Sequence, residues 1–256
     1  MDGRGIKMNK TIRILAGIGA VALIAFLLVI TMALTGNPIS KILATRTADK
    51  YIAEKYSDLK VHREETYYNF KDGNYGVKYA DKKSKDIHFT IGTDYLGRLS
   101  YDGYERDVLS KWNTRLRLEN EYSNYVEKII RDNLDFNYDM VLPSTFGEEE
   151  KDKQISKLEI DMIFDLENIP FEQEITLYIY EENRTWERLA EVILEVNELM
   201  EEKNLDISKY TIVLGEPRGN ESKVRESLGV YDFPKEPLDS SNLPKVLEAF
   251  FNKYNE

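Results

Sequence analysis

The chain is 256 residues long, carries 46 acidic against 35 basic side chains for a formal net charge of −11, and contains no cysteine. The missing thiol excludes disulfides, thiolate nucleophiles, thiolate metal sites and an acylated lipoprotein anchor. Charge is uneven, +3 over residues 1–37, 0 over 38–145 and −14 over 146–256, so the distal part suits nucleic-acid phosphates poorly, which need clustered Lys and Arg.

Residues 1–13 read as a short tail in which Arg4, Lys7, Lys10 and Arg13 outnumber Asp2. Residues 14–34 then run without a charge, and at ~1.5 Å per residue such a helix covers the roughly 30 Å hydrocarbon core of a bilayer. A secretory signal has a shorter apolar region, about 7–15 residues. Thr31-Met32-Ala33 offers a small-x-small cleavage site, but the length favours a retained transmembrane helix with the lipid bilayer as its partner. Positive charge ahead of a first span tends to stay cytoplasmic. The expectation is a single-pass protein of the cell membrane, N-terminus cytoplasmic and C-terminal part extracellular, although Lys41, Arg46 and Lys50 weaken the bias.

Residues 38–142 read as a first exported unit. Asn37 is placed to cap a helix, Pro38 suits its first position, and Ile39, Ile42, Leu43, Thr47, Tyr51 and Ile52 recur at helical spacing. Four short runs rich in aromatic and β-branched residues follow, "LKVHREETYYNF", "NYGVKYA", "KDIHFTIG" and "GRLSYD". They predict a meander, with Asp72-Gly73 as its first hairpin turn. From Tyr104 a helical pattern carries Val108, Trp112, Leu116, Tyr122, Tyr125, Val126, Ile129, Ile130 and Leu134, with a break expected near Glu119. The change in charge, with a Pro, a Gly and an acidic run, marks residues 143–154 as a linker.

Residues 155–256 read as an acidic second unit in the order strand, strand, helix, strand, helix. "KLEIDMIFDL" and "EITLYIYEE" alternate as strands. "NRTWERLAEVILEVNELMEEKN" is an amphipathic helix with Trp186, Leu189, Ala190, Ile193, Asn197 and Met200 inward and a glutamate face outward. "KYTIVLG" is a strand, and after an irregular stretch a last helix runs from about Pro244 to Tyr254. The expected fold class is α+β, an N-terminal transmembrane helix followed by two small units of antiparallel sheet with packed helices.

The sequence offers little for chemistry. Its two histidines, His62 and His88, fall in predicted strands, and "HREET" lacks the second imidazole of a zinc-peptidase motif. There is no Gly-x-Ser-x-Gly elbow, no acylating Ser-x-x-Lys and no phosphate loop; "LGEPRGN", with Arg218, lacks dinucleotide spacing. "FGEEEKD" lacks the alternating ligands of a calcium loop and reads as solvated linker. Paired carboxylates of the glycosidase kind are too common here to single out. No catalytic, metal or cofactor-binding residue is assigned, and no cofactor is expected.

Residues Gly36, Asn37, Pro38, Tyr51, Tyr56, Tyr68, Asn69, Phe70, Asp72, Gly73, Tyr75, Ser84, Asp86, His88 and Phe89, in the order span, "GNPISK", "YYNFKDGNYGVKYADKKSKDIHFTIG", resemble the YfjL-like family of membrane-anchored proteins from Bacillus-type bacteria. The resemblance covers the span and first unit, and the second unit through its order of elements. It implies a Gram-positive setting and a two-part exterior and brings no catalytic residues with it. The function expected is therefore a non-enzymatic binding or interaction module at the outer face of the membrane, its partner an envelope protein or wall component, with no nucleic acid. The alternative is a carboxylate-dependent enzyme of an envelope polymer, with Tyr and Trp lining a cleft. A subunit held side to side through Gly17 and Gly19 is a third reading.

Overall fold

The computed structural model describes residues 10–144, 155–165, 172–216 and 227–255. It is an α+β protein that divides into two compact units, Met1–Ser110 and Lys111–Glu256.

Helix α1, Lys10–Thr35, has no buried residue and is long and apolar enough to cross a membrane. It ends because Gly36 turns left-handed at φ +79, a conformation glycine adopts without steric cost. Its N–H still reaches the Met32 carbonyl at 2.9 Å. Helix α2, Pro38–Lys55, restarts at once, with the Asn37 side chain accepting from the Ile39 N–H at 2.8 Å and Pro38 in its first turn.

Four strands follow, β1 Val61–Asn69, β2 Asn74–Asp81, β3 His88–Thr93 and β4 Leu99–Asp102, paired in sequence order as an antiparallel meander. The first turn is the expected one: Gly73 sits at φ +72 and the Asp72 carboxylate accepts from the Asn74 N–H at 3.0 Å. One sheet face packs on α2 through Ala44, Ala48, Tyr75, Val77, Tyr79, Phe89 and Ile91. The helix buries its small residues, Ser40, Ala44 and Ala48. Of the apolar residues that recur at helical spacing along α2, only some reach the sheet. Tyr51 and Ile52 pack against the core, while Ile39, Ile42 and Leu43 remain exposed. Close approach to a sheet favours short side chains on the contacting face, and hydrophobic spacing does not distinguish the two neighbouring faces.

The long helical pattern is interrupted at Lys111, φ +61, rather than near Glu119. Before it lies a π-helical turn, Glu105–Leu109; after it α3, Trp112–Asn133, belongs to the second unit. The expected helix–meander–helix grouping over residues 38–142 is thus replaced by a division after Ser110. Tyr122, Val126 and Ile130 of α3 enter the second core, since only four residues separate the helix from the next strand, β5, Tyr138–Ser144.

That strand occupies Pro143 and Ser144 of the expected linker; residues 145–154 lie outside the described residues. The strand expected over "KLEIDMIFDL" is not formed: residues 157–165 are turn and irregular backbone, with Leu158 packed on Leu118. Its place beside the next strand is taken by β5. Strands β6 Gln173–Tyr180, β7 Ile207–Gly215 and β8 Ser227–Pro234, with helices α4 Trp186–Glu202 and α5 Leu243–Asn255, complete the unit. Strand order is β5-β6-β7-β8. The sheet is mixed, because α4 is the crossover between β6 and β7 and leaves them parallel. The alternation of β6 and the stripe of α4 meet in one core: Ile175, Leu177, Leu189, Ile193, Val196, Met200 and Ile212 are buried, each contributing roughly 1.5–3 kcal/mol.

Candidate functional site

The face of the first sheet turned away from α2 is built around two glycines. Gly76 and Gly92 are cross-strand partners, flanked by Tyr67 on β1 and Tyr101 on β4, so one row reads Tyr, Gly, Gly, Tyr across all four strands. Each glycine makes room for a ring. A Cβ at Gly76 would lie 2.3 Å from Tyr67 Cζ, and one at Gly92 2.0 Å from Tyr101 Cε1. The two rings therefore lie across the space that side chains would otherwise fill.

Tyr101 is 40% exposed; burial of the rest of the ring, then its hydrogen bond with Tyr67, pushes its phenol well above the usual range. The next row along the face is Glu65, Lys78 and Thr90. Lys78 pairs with Glu65 at 2.7 Å, lies 5.8 Å from the Tyr67 ring centroid, and is held above its ordinary value chiefly by that hydrogen bond. In the third row His62 and His88 flank Ala80. Both histidines are exposed, as alternation predicts for His88, and an intervening strand sets them roughly 10 Å apart from the strand spacing alone. That separation is too large for direct sharing of one metal ion. The arrangement is a flat aromatic and polar surface, able to stack a planar or apolar group on two rings and hydrogen-bond its edges.

A second polar cluster lies where α2 meets β4. Asp102 Oδ2 accepts from Lys55 Nζ at 2.8 Å, Tyr51 OH at 2.9 Å and Tyr56 OH at 2.6 Å, and Oδ1 accepts from the Tyr104 N–H at 3.0 Å. Burial opposes ionisation of Asp102, but the hydrogen bonds outweigh it and hold the carboxyl below the usual range. The bond to Asp102 holds Lys55 above its own range, and burial, then Asp102, pushes Tyr56 up to about 12. These directions fix the charged pair and the neutral phenol at neutral pH. The cluster clamps the helix end to the sheet.

In the second unit Arg188 gathers Glu181 at 3.1 Å, Glu191 at 3.2 Å and Glu195 at 3.7 Å beneath a glutamate-rich outer face. Among the described residues no group of three or more His, Asp or Glu is placed to hold a metal ion. The "FGEEEKD" run and Arg218 lie outside the described residues. A Cβ at Gly17 or Gly19 would meet nothing within 4 Å beyond the helix's own backbone.

Residues 10–103 match the model of the YfjL-like N-terminal domain, and residues 121–248 match that of the YfjL-like C-terminal domain. The chain belongs to the YfjL-like family. The two matched stretches fall on either side of the division after Ser110. No curated protein and no solved structure matches the chain. Several residues that carry the YfjL-like resemblance have visible structural tasks. Gly36 leaves room for the Tyr68 ring, whose Cγ a Cβ would approach to 2.7 Å. Tyr75 OH accepts from the Asn37 N–H at 2.6 Å, and the Ser84 hydroxyl accepts from the Asp86 and Ile87 N–H groups. The tyrosine face was not legible as a site from the sequence, because its four members sit 9 to 34 residues apart and only the strand register aligns them.

Proposed function

We propose that this YfjL-like protein is a single-pass anchored binding module at the outer face of the cytoplasmic membrane, and that the Tyr67–Tyr101 face takes an envelope ligand with an apolar surface and polar edge, a peptide segment or a sugar. The observation that carries it is the pair of rings spread over Gly76 and Gly92 on a sheet face that stays exposed. Orientation rests on the basic residues ahead of the uncharged run that begins at Ile14, Lys10 and Arg13 among them. Asp81, Asp94 and Asp102 are held below the usual carboxylate range, opposite to the shift of a general acid.

Photo-crosslinking residues placed at Glu65 and Thr90 of the full-length protein in its native cells test the reading, with a probe at Glu198 on the outer face of α4 as the comparison. Adducts with an envelope protein or a wall fragment at the sheet positions, and not at Glu198, are expected; mass spectrometry distinguishes the two. Equal capture at all three positions, or none at the sheet, contradicts the assignment of this face.

A further inference from the structure

The first turns of α2 carry an apolar surface that the first unit leaves uncovered. Ile39, Ile42, Leu43 and Arg46 stand at i, i+3, i+4 and i+7, one helix face, beside the face that Ser40, Ala44 and Ala48 bury. The β3–β4 turn extends it. Thr47 Oγ1 donates to the Gly97 carbonyl at 2.6 Å, and a Cβ on Gly97 would come within 2.8 Å of Leu43 Cβ, so Tyr95 and Leu96 border the helix. Ile39, Ile42, Tyr95 and Leu96 are each more than half exposed.

This surface begins four residues after Thr35, where α1 ends. The connection is held. The Tyr68 hydroxyl donates to the Ala33 carbonyl at 3.2 Å, and the Tyr75 hydroxyl both accepts from the Asn37 N–H and donates to its carbonyl at 3.3 Å. Two tyrosines of the sheet thus grip the last turn of α1 and the cap of α2. Phe70, also more than half exposed, lies two residues beyond Tyr68 in the β1–β2 turn.

We infer that Ile39, Ile42, Tyr95 and Leu96 sit in the interfacial layer of the leaflet where α1 ends, so that the first unit is seated on the bilayer instead of standing clear of it. The inference rests on the reading of α1 as a membrane span, and continuity with that span is what names lipid as the occupant. Apolar residues followed one turn later by Arg46 match the order of acyl boundary and headgroup, and Lys41 adds a second cation near an anionic surface. Isoleucine, leucine and tyrosine at that depth exchange water for the apolar edge of the bilayer.

The absence of cysteine makes every introduced thiol unique. Nitroxide labels at Ile42→Cys and Leu96→Cys, in full-length protein reconstituted into phosphatidylglycerol-containing nanodiscs, are compared with Ile24→Cys inside α1 and Glu54→Cys at the far end of α2. Collision with oxygen and with a water-soluble nickel complex reports depth. The expected result is nickel accessibility at 42 and 96 several-fold below that at 54, with oxygen accessibility between those at 54 and 24. Water-like values at 42 and 96 with a lipid-like value at 24 overturn the seating and leave the anchor intact, whereas a water-like value at 24 overturns the anchor and the seating with it. Exclusion of both reagents at 42 and 96 means that protein covers the surface, which also overturns the proposal.

Discussion

Gly92 and Asp102 show how single residues set the character of the first unit. Because a Cβ at Gly92 meets the outer edge of the Tyr101 ring, which rotates about two side-chain bonds, Gly92→Ala displaces the ring rather than unfolding the strand. The expected outcome is a Tyr101 phenol whose titration moves down toward the ordinary tyrosine range, read by ultraviolet absorbance against alkali, together with loss of crosslinks at Thr90. A titration indistinguishable from that of the unaltered protein contradicts the packing. Asp102 makes a prediction in pH. Its folded carboxyl is lowered, so its contribution is present above the unfolded value of about 3.9 and is lost as pH falls through the folded one. Lys55 is raised, so its contribution is present below about 10.4 and is lost as pH rises through its folded value. Asp102→Asn is expected to lower the stability of the first unit by about 1 kcal/mol at neutral pH, after discounting for solvent around the pair. Chemical denaturation at pH 7 and below pH 3 checks it: the difference should shrink at the acid end.

Secondary elements were legible in the sequence to the extent that their pattern is local. The caps Asn37 and Pro38, the Asp72-Gly73 turn, the alternation of β6 and the stripe of α4 are each written in fewer than twenty consecutive residues, and each forms where expected. Strands β5 and β8 were missed because their alternation is broken, by Pro143 on an edge strand in one and by Gly229 and left-handed Asp232 in the other. A Cβ at Gly229 would sit 2.5 Å from the Ile212 carbonyl oxygen, a constraint imposed by the backbone of the paired strand β7. The partner of α3 was missed for the same reason, since an apolar stripe does not say which sheet it covers. Tyr122 at the centre of that stripe is fully buried, and its hydroxyl finds no hydrogen-bond partner among the described residues. Tyr122→Phe is therefore expected to stabilise the protein, by up to about 1 kcal/mol, by removing an unmet polar group while keeping the ring. A fall in the midpoint of urea unfolding of the second unit contradicts this.

At the scale of the whole molecule, one apolar helix precedes two α+β units of opposite surface character, a near-neutral unit bearing the tyrosine face and an acidic unit whose glutamates point outward from α4. The candidate site was illegible in the sequence because it is a property of register, shared by four strands, and not of any motif. The long apolar helix α1, by contrast, was legible at once because length and apolar composition are local properties of the sequence. The account turns on whether the chain is held across a membrane with both units outside. A single cysteine at Glu198, challenged in intact cells with a membrane-impermeant maleimide, tests this most directly. The account predicts labelling of a full-length, membrane-bound protein before the cells are opened. Labelling only after lysis, or a shortened protein released from the membrane, would contradict it.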